Sequence, residues 1–221
     1  MQLPMAIPSA FVNNTPLQKR GPEWACALGH CYRTLHAFDF RLLRVLSFCL
    51  EGQAMKDFTV ELLPTTVDQA QLIRNLYQFY AYESSDWEQE DVDDDGRFYI
   101  HDDHLMRYWN DQDWSANLLL VNGCVAGFLL VERSELPGID ALELADLFIL
   151  KRYRRKGIGK ALVTQVLMGG HENWLVRYYR QDDAAVAFWD SVLEALPRPA
   201  RAIELDDEPD LANFLVTRVM H

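Results

Sequence analysis

Cysteine and positive charge are scarce in this sequence and long apolar runs are absent, and each shortage removes a class of function. Four cysteines in 221 residues are too few for the disulfide framework of a small secreted domain, so reduced thiols are expected. Lys and Arg number 21 against 33 Asp and Glu, a formal net charge of −12. That balance opposes nucleic-acid binding, which needs clustered cations for phosphate contacts. The longest apolar stretches, such as Cys124–Val131, fall far short of the roughly 20 residues that cross a bilayer, and no membrane partner is expected. The first residues lack the charged start, apolar middle and small-residue cleavage site of a secretory signal and carry Pro4 and Pro8, so a cytoplasmic location is expected. What is present, 49% hydrophobic and 24% charged residues, suits a globular chain with one sizeable core.

Composition changes near Met55. Residues 1–54 carry three of the four cysteines, four of the nine prolines and a slight positive balance, leaving 16 basic and 30 acidic residues from Met55 onward. No sustained period runs through the early segment. Phe38–Leu50 reads as one short amphipathic helix, marginal in water unless it packs on something. Cys26, His30 and Cys31 lack a fourth ligand at paired spacing, so no metal is expected. Residues 1–54 are read as a poorly ordered extension and residues 55–221 as the folded domain. Glu51-Gly52 can be encoded by a purine-rich ribosome-binding sequence just upstream of a Met55 codon, which makes Met55 a candidate start.

From Met55 the pattern is regular. Phe58–Leu63 reads as a strand, and Thr66 to Gln69 as a capping box. Leu72, Ile73, Leu76, Tyr77 and Tyr80 follow at helical spacing. Glu83 to Asp95 reads as an acidic solvated loop and His104–Asn110 as a helix. Asn117–Val121 and Cys124–Glu132 form a hairpin about Asn122-Gly123, residues that tolerate the positive φ of a tight turn. Cys124 reads as a small buried hydrophobe. Ala141–Leu150, Trp174–Tyr179, Ala202–Leu205 and Phe214–Val219 are further strands, with helices over Gly157–Met168 and Asp183–Leu196.

The informative segment is Leu147–Leu162. A buried strand runs into Lys151, Arg152, Arg154, Arg155, Lys156 and Lys160, interleaved with Gly157 and Gly159, and then into an apolar-periodic helix. In so acidic a chain, that concentration of cations at a strand-to-helix turn points to an anion site. Glycines admit close backbone approach, and first-turn amides lack intrahelical acceptors and lie at the positive end of the dipole. A P-loop is excluded because Ala161 follows Gly159-Lys160 where Ser or Thr is required. A dinucleotide fingerprint is excluded because Leu162 stands where the third glycine belongs.

Arg154-Arg155-Lys156-Gly157-Ile158-Gly159 resembles the acetyl-CoA signature of the GNAT superfamily of N-acetyltransferases. Ala145-Asp146-Leu147-Phe148-Ile149 looks like that family's fourth strand. Asp182, Ala185, Phe188 and Trp189 look like its Asn-x-x-Ala-x-x-Phe-Tyr helix. The likeness runs from about Met55 to the end and is greatest to a bacterial group of acetyltransferases that carry Phe-Trp in place of Phe-Tyr. The resemblance implies a mixed, mostly antiparallel α/β sheet flanked by helices, with two splayed parallel strands forming the cofactor cleft. It implies that acetyl-CoA is the co-substrate and that its acetyl group passes directly to an amine acceptor, a small molecule or a protein or peptide, in a ternary complex. A homodimer is compatible with it. The alternative is an acyl-CoA-binding module without catalysis.

By the same similarity, the backbone of Leu147, Phe148 and Ile149 would pair with the pantetheine arm, and the segment Arg154, Arg155, Lys156, Gly157, Ile158, Gly159 and Lys160 would hold the pyrophosphate. An attacking amine must lose a proton. Asp146 is the leading acceptor of that proton and Glu143 the second, although residues three apart face opposite ways on a strand unless a bulge intervenes. Three positions depart from the family. Ala145 replaces a neighbouring Glu. Asp182 replaces the Asn that contacts the cofactor. Trp189 replaces the tyrosine that protonates the leaving thiolate, and an indole N–H cannot surrender its proton at neutral pH. Tyr178, Tyr179 and Tyr80 are the candidate substitutes.

Overall fold

The computed structural model describes residues 46–52, 55–169, 172–205 and 208–217. The expectations for residues 1–45, the Cys26, His30 and Cys31 reading included, lie outside them. Among the described residues, eight strands form one sheet in the order β1-β2-β3-β4-β5-β6-β8-β7. They are β1 (Leu46–Gly52), β2 (Met55–Pro64), β3 (Ser115–Val121), β4 (Cys124–Arg133), β5 (Leu142–Ile149), β6 (Trp174–Tyr179), β7 (Ala200–Ile203) and β8 (Leu211–Val216). The described residues also form α-helices α1 (Ala70–Glu88), α2 (Asp102–Asn110), α3 (Ile158–Met168) and α4 (Asp183–Ala195). Every neighbouring pair is antiparallel except β5–β6, so the sheet is mixed and mostly antiparallel.

Local chemistry sets most boundaries. The Gln69 side chain accepts from the Thr66 amide at 3.1 Å and leads through a 3-10 turn, Val67–Gln69, into α1. Helix α1 buries Ile73, Leu76, Ala81 and Ser84 and stops where Gln89 takes a left-handed backbone, φ 58°. The β3–β4 hairpin turns through Asn122 and Gly123, both at positive φ, as their sequence requires. Asp102 and Asp103 in the first turn of α2 and Arg107 in its last complement the helix dipole.

Several expectations shift. Leu46–Leu50, the end of the short helix expected over Phe38–Leu50, lies instead in β1, which pairs along β2. Pairing along a neighbouring strand, which the segment alone does not show, decides there. The acidic loop begins later than its charges suggest, because Glu83–Glu88 form the last turns of α1. Cys124 is exposed, since it opens β4 directly beside the hairpin turn. Strands β7 and β8 begin two and three residues earlier than their composition implies.

The core fills the space between one face of the sheet and α3 with α4. Leu142 and Leu144 of β5, Val176 and Tyr178 of β6, Leu162, Val163 and Val166 of α3, and Trp189 and Val192 of α4 belong to it. The opposite face carries α1 and α2 and an aromatic cluster of Tyr77, Tyr80, Phe128 and Phe148. Among the described residues, no helix is long and apolar enough to cross a membrane.

Candidate active site

The parallel β5–β6 ladder runs only from Leu142↔Trp174 to Leu144↔Val176. Beyond Leu144, β5 continues to Ile149 beside β4 alone, and β6 continues to Tyr179 beside β8. The two strands therefore part, and the β5 edge from Ala145 to Ile149, which contains Leu147, Phe148 and Ile149, lines the gap.

One 3-10 turn, Lys151–Tyr153, connects β5 to the glycine turn. Arg155 and Gly157 both take left-handed backbone, φ 58° and 74°, and Gly157 is the N-cap of α3. Left-handed geometry costs a non-glycine residue roughly 1–2 kcal/mol, and such strain concentrates where a turn serves a ligand. The first backbone bond of α3 runs from the Ala161 N–H to the Gly157 carbonyl at 3.0 Å. The amides of Ile158, Gly159 and Lys160 thus precede the helical ladder, the arrangement that receives phosphate. Gly159 is fixed by space: a Cβ there would come within 3.2 Å of both Ile149 Cδ1 and Phe188 Cε2. Its absence lets α3 start close upon β5 and α4.

The basic collar divides by partner. Arg154 donates from Nε to the Ile149 carbonyl and pairs through Nη2 with Glu83 at 2.6 Å, which also draws Lys151 at 3.7 Å. Lys160 donates to the Ser191 carbonyl at 2.8 Å and to its Oγ at 2.9 Å. Arg152 and Lys156 flank the Tyr153 ring, 5.5 and 6.0 Å from its centroid. Arg155 is exposed. Arg152, Arg155 and Lys156 complete the basic collar around the turn.

The two candidate carboxylates share a face because the strand is bulged. The β4–β5 register passes from Leu130↔Asp146 to Val131↔Leu144, so Ala145 has no opposite residue. One extra residue inverts the alternation. Leu142 and Leu144 face the core, Leu147 and Ile149 also pack against it, and Glu143, Asp146 and Phe148 come together on the α1 face. Tyr80 hydrogen-bonds to Asp146, and Glu88 bears on the same carboxyl electrostatically. The Tyr80 ring packs edge-on against Phe148 at 6.2 Å. Burial pushes Asp146 up to about 7, the Tyr80 hydrogen bond acts against that, and Glu132 and Glu88 add to it. Burial also raises Glu143 to about 7 against the pull of Arg177, whose Nη1 lies 3.6 Å away.

Sequence reasoning missed the surroundings of this pair. Arg177 on β6 joins Glu143 to Glu208 and donates to Asn213 Oδ1 at 3.0 Å, bridging the strands where they begin to part. Glu132 lies directly across from Glu143, accepts from the Tyr108 hydroxyl and sits 3.3 Å from His104 Nε2. These groups are 11 to 70 positions from Glu143 in the sequence, and only strand register could have linked them.

The family departures have structural accounts. Trp189 is buried in the core, stacked on Tyr178 with centroids 6.4 Å apart. The Tyr178 hydroxyl donates to Asp190 at 3.3 Å, on the core face and away from Asp146. Its own proton is held more firmly, burial raising it to about 12. Asp182 caps α4, accepting from the amides of Ala184 and Ala185 at 3.0 Å each. Tyr179 lies on the acid face at the splayed end of β6, about one-third exposed.

No curated protein matches the chain. Solved structures that resemble it in fold include the following three. An acetyltransferase from Thermus thermophilus superposes with a TM-score of 0.51 at 18% identity, over 71% of this chain and 95% of its own. The GNAT domain of S. lividans PAT gives 0.50 at 12%, over 71% and 89%. The yncA protein of Salmonella typhimurium, solved with its cofactor acetyl-CoA, gives 0.50 at 15%, over 73% and 95%. The family described as "Acetyltransferase (GNAT) family" matches residues 71–193, from the start of α1 through almost all of α4 and across the splayed strands, the bulge and the glycine turn. The chain belongs to the acetyltransferase (GNAT) family.

Proposed function

We propose that this protein transfers an acetyl group from acetyl-CoA to an amine by direct attack in a ternary complex, with Asp146 and Glu143 receiving the proton that the amine must lose. The observation that carries this reading is the bulge at Ala145, which turns both carboxyls to one face beside the parting of β5 and β6. Bound acetyl-CoA supplies an activated acyl carbonyl. The residues present suit its parts: the Arg155 to Lys160 turn offers unladdered amides and nearby cations to a pyrophosphate, and the open β5 edge from Leu147 to Ile149 offers backbone groups to an amide-bearing arm. The acid face draws a cationic amine toward the carboxyls. A carboxyl near neutrality is well matched to taking a proton at physiological pH. The thiolate departs without a dedicated acid, which a thiol of pKa about 8.5 permits.

One observation favours the second reading, an acyl-CoA-binding module without catalysis: Trp189 is packed into the core where relatives carry an acidic hydroxyl. Calorimetric titration with acetyl-CoA, run beside a thiol-release assay over small amines, peptide N-termini and lysine peptides, separates the two. Binding together with amine-dependent CoA release is expected. Binding with no release from any acceptor would favour the module.

A further inference from the structure

Each turnover of the proposed reaction leaves one proton over. The ammonium group gives up a proton before attack, the C–N bond forms, the C–S bond breaks, and the nitrogen loses a second proton as the tetrahedral centre collapses. The departing thiolate takes one of the two. The other must leave a pocket where Asp146 and Glu143 are held by burial near neutrality, so that either could receive it and either must be emptied before the next turnover.

Glu132 is placed to empty them. It stands on β4 directly opposite Glu143, two residues along β4 from the Leu130↔Asp146 pair, and on the same face. Carboxylates opposed across a ladder repel when both are charged. The other groups that bear on Glu132 come from three elements. From α1 they are Tyr77 and, through Asp146, Glu88; from β6, Arg177 acts through Glu143. Helix α2 supplies the two direct contacts, both to Glu132 Oε1: the Tyr108 hydroxyl and His104 Nε2 at 3.3 Å.

The exposures give this chain of groups a direction. The Glu132 side chain is 18% exposed and that of His104 is 50% exposed, so the imidazole spans from the carboxylate to water. Its ring is braced edge-on by Tyr108 at 5.9 Å and Trp114 at 5.3 Å, and an imidazole carries two nitrogens, one able to accept a proton while the other donates one. We infer that Glu132 and His104 form the outlet through which the acceptor's proton passes from the β5 carboxyls to solvent. The inference rests on the proposed transfer to an amine. Tyr108, which fixes the carboxylate that His104 meets, is a positioning residue.

The test uses the full chain and the best acceptor found by thiol release. His104→Gln keeps an amide within reach of Glu132 but cannot carry a proton; His104→Ala opens space for free imidazole. Both variants are expected to bind acetyl-CoA as the parent does and to lose kcat by about tenfold or more, with imidazole in the buffer restoring His104→Ala but not His104→Gln. The solvent deuterium isotope effect on kcat should rise in His104→Gln. If Asp146→Asn is impaired while both His104 variants keep the parent kcat, the outlet is overturned and the amine reading stands. A loss in His104→Ala that imidazole does not restore also overturns the outlet. If Asp146→Asn turns over as the parent does, the underlying reading falls and the outlet with it.

Discussion

A Cβ built on Gly157 meets no atom within 4 Å, and its φ is 74°. Backbone geometry, not crowding, therefore reserves this position, and Asp is among the few side chains that tolerate left-handed φ. Gly157→Asp should leave the fold in place while setting a carboxylate at the mouth of the amides. Calorimetry should show acetyl-CoA binding weakened by at least about tenfold, or about 1.4 kcal/mol, with Tm lowered by only a few degrees. An unchanged affinity would remove the turn from the binding site. The residues of this turn could be read from the sequence because glycine spacing and charge are local properties. The engagement of Arg154 by Glu83 and of Lys160 by Ser191 could not, since those partners lie 71 and 31 positions away.

At the scale of elements, the decisive feature is the extra residue in β5. Its composition reads as an ordinary strand, in which Glu143 and Asp146 would face opposite ways unless a bulge intervened. A bulge is a property of two strands, expressed in the register of β4 against β5, and one sequence segment cannot specify it. The hairpin, the capping box and α3 were legible because each is encoded by neighbours. Strands β7 and β8 drifted because short edge segments take their limits from the partner strand. Helix α4 shows the same contrast: its cap at Asp182 is local, whereas Trp189 is fixed by stacking on Tyr178. Trp189→Tyr would shrink a buried ring without bringing a hydroxyl to the acid face. Thermal unfolding should show a loss of roughly 1–3 kcal/mol, and CoA release should not accelerate. A clear gain in kcat would mean that protonation of the thiolate limits turnover and that position 189 reaches it.

Across the whole molecule, charge is sorted by face and by end of strand. The excess of acids noted in the composition is concentrated in part where α1, α2 and three strands meet, as Glu88, Glu132, Glu143 and Asp146. The cations that interrupt it gather at the glycine turn, so that a nucleotide and an amine would be drawn to different walls of the same gap. In the proposed transfer the acid wall also sets the pH response. Asp146 and Glu143 are both raised to about 7 and interact, so they titrate as a pair. Below that pH they hold protons and cannot take one from the amine, and above it they can. The direct measurement is kcat for CoA release at saturating acetyl-CoA and acceptor from about pH 5 to 9, for the parent and for Asp146→Asn. The parent should climb about tenfold per pH unit and level off near pH 7, and Asp146→Asn should run about 100-fold lower on the plateau. Superimposable profiles from the two proteins would contradict the assignment of the β5 carboxyls as the proton acceptor.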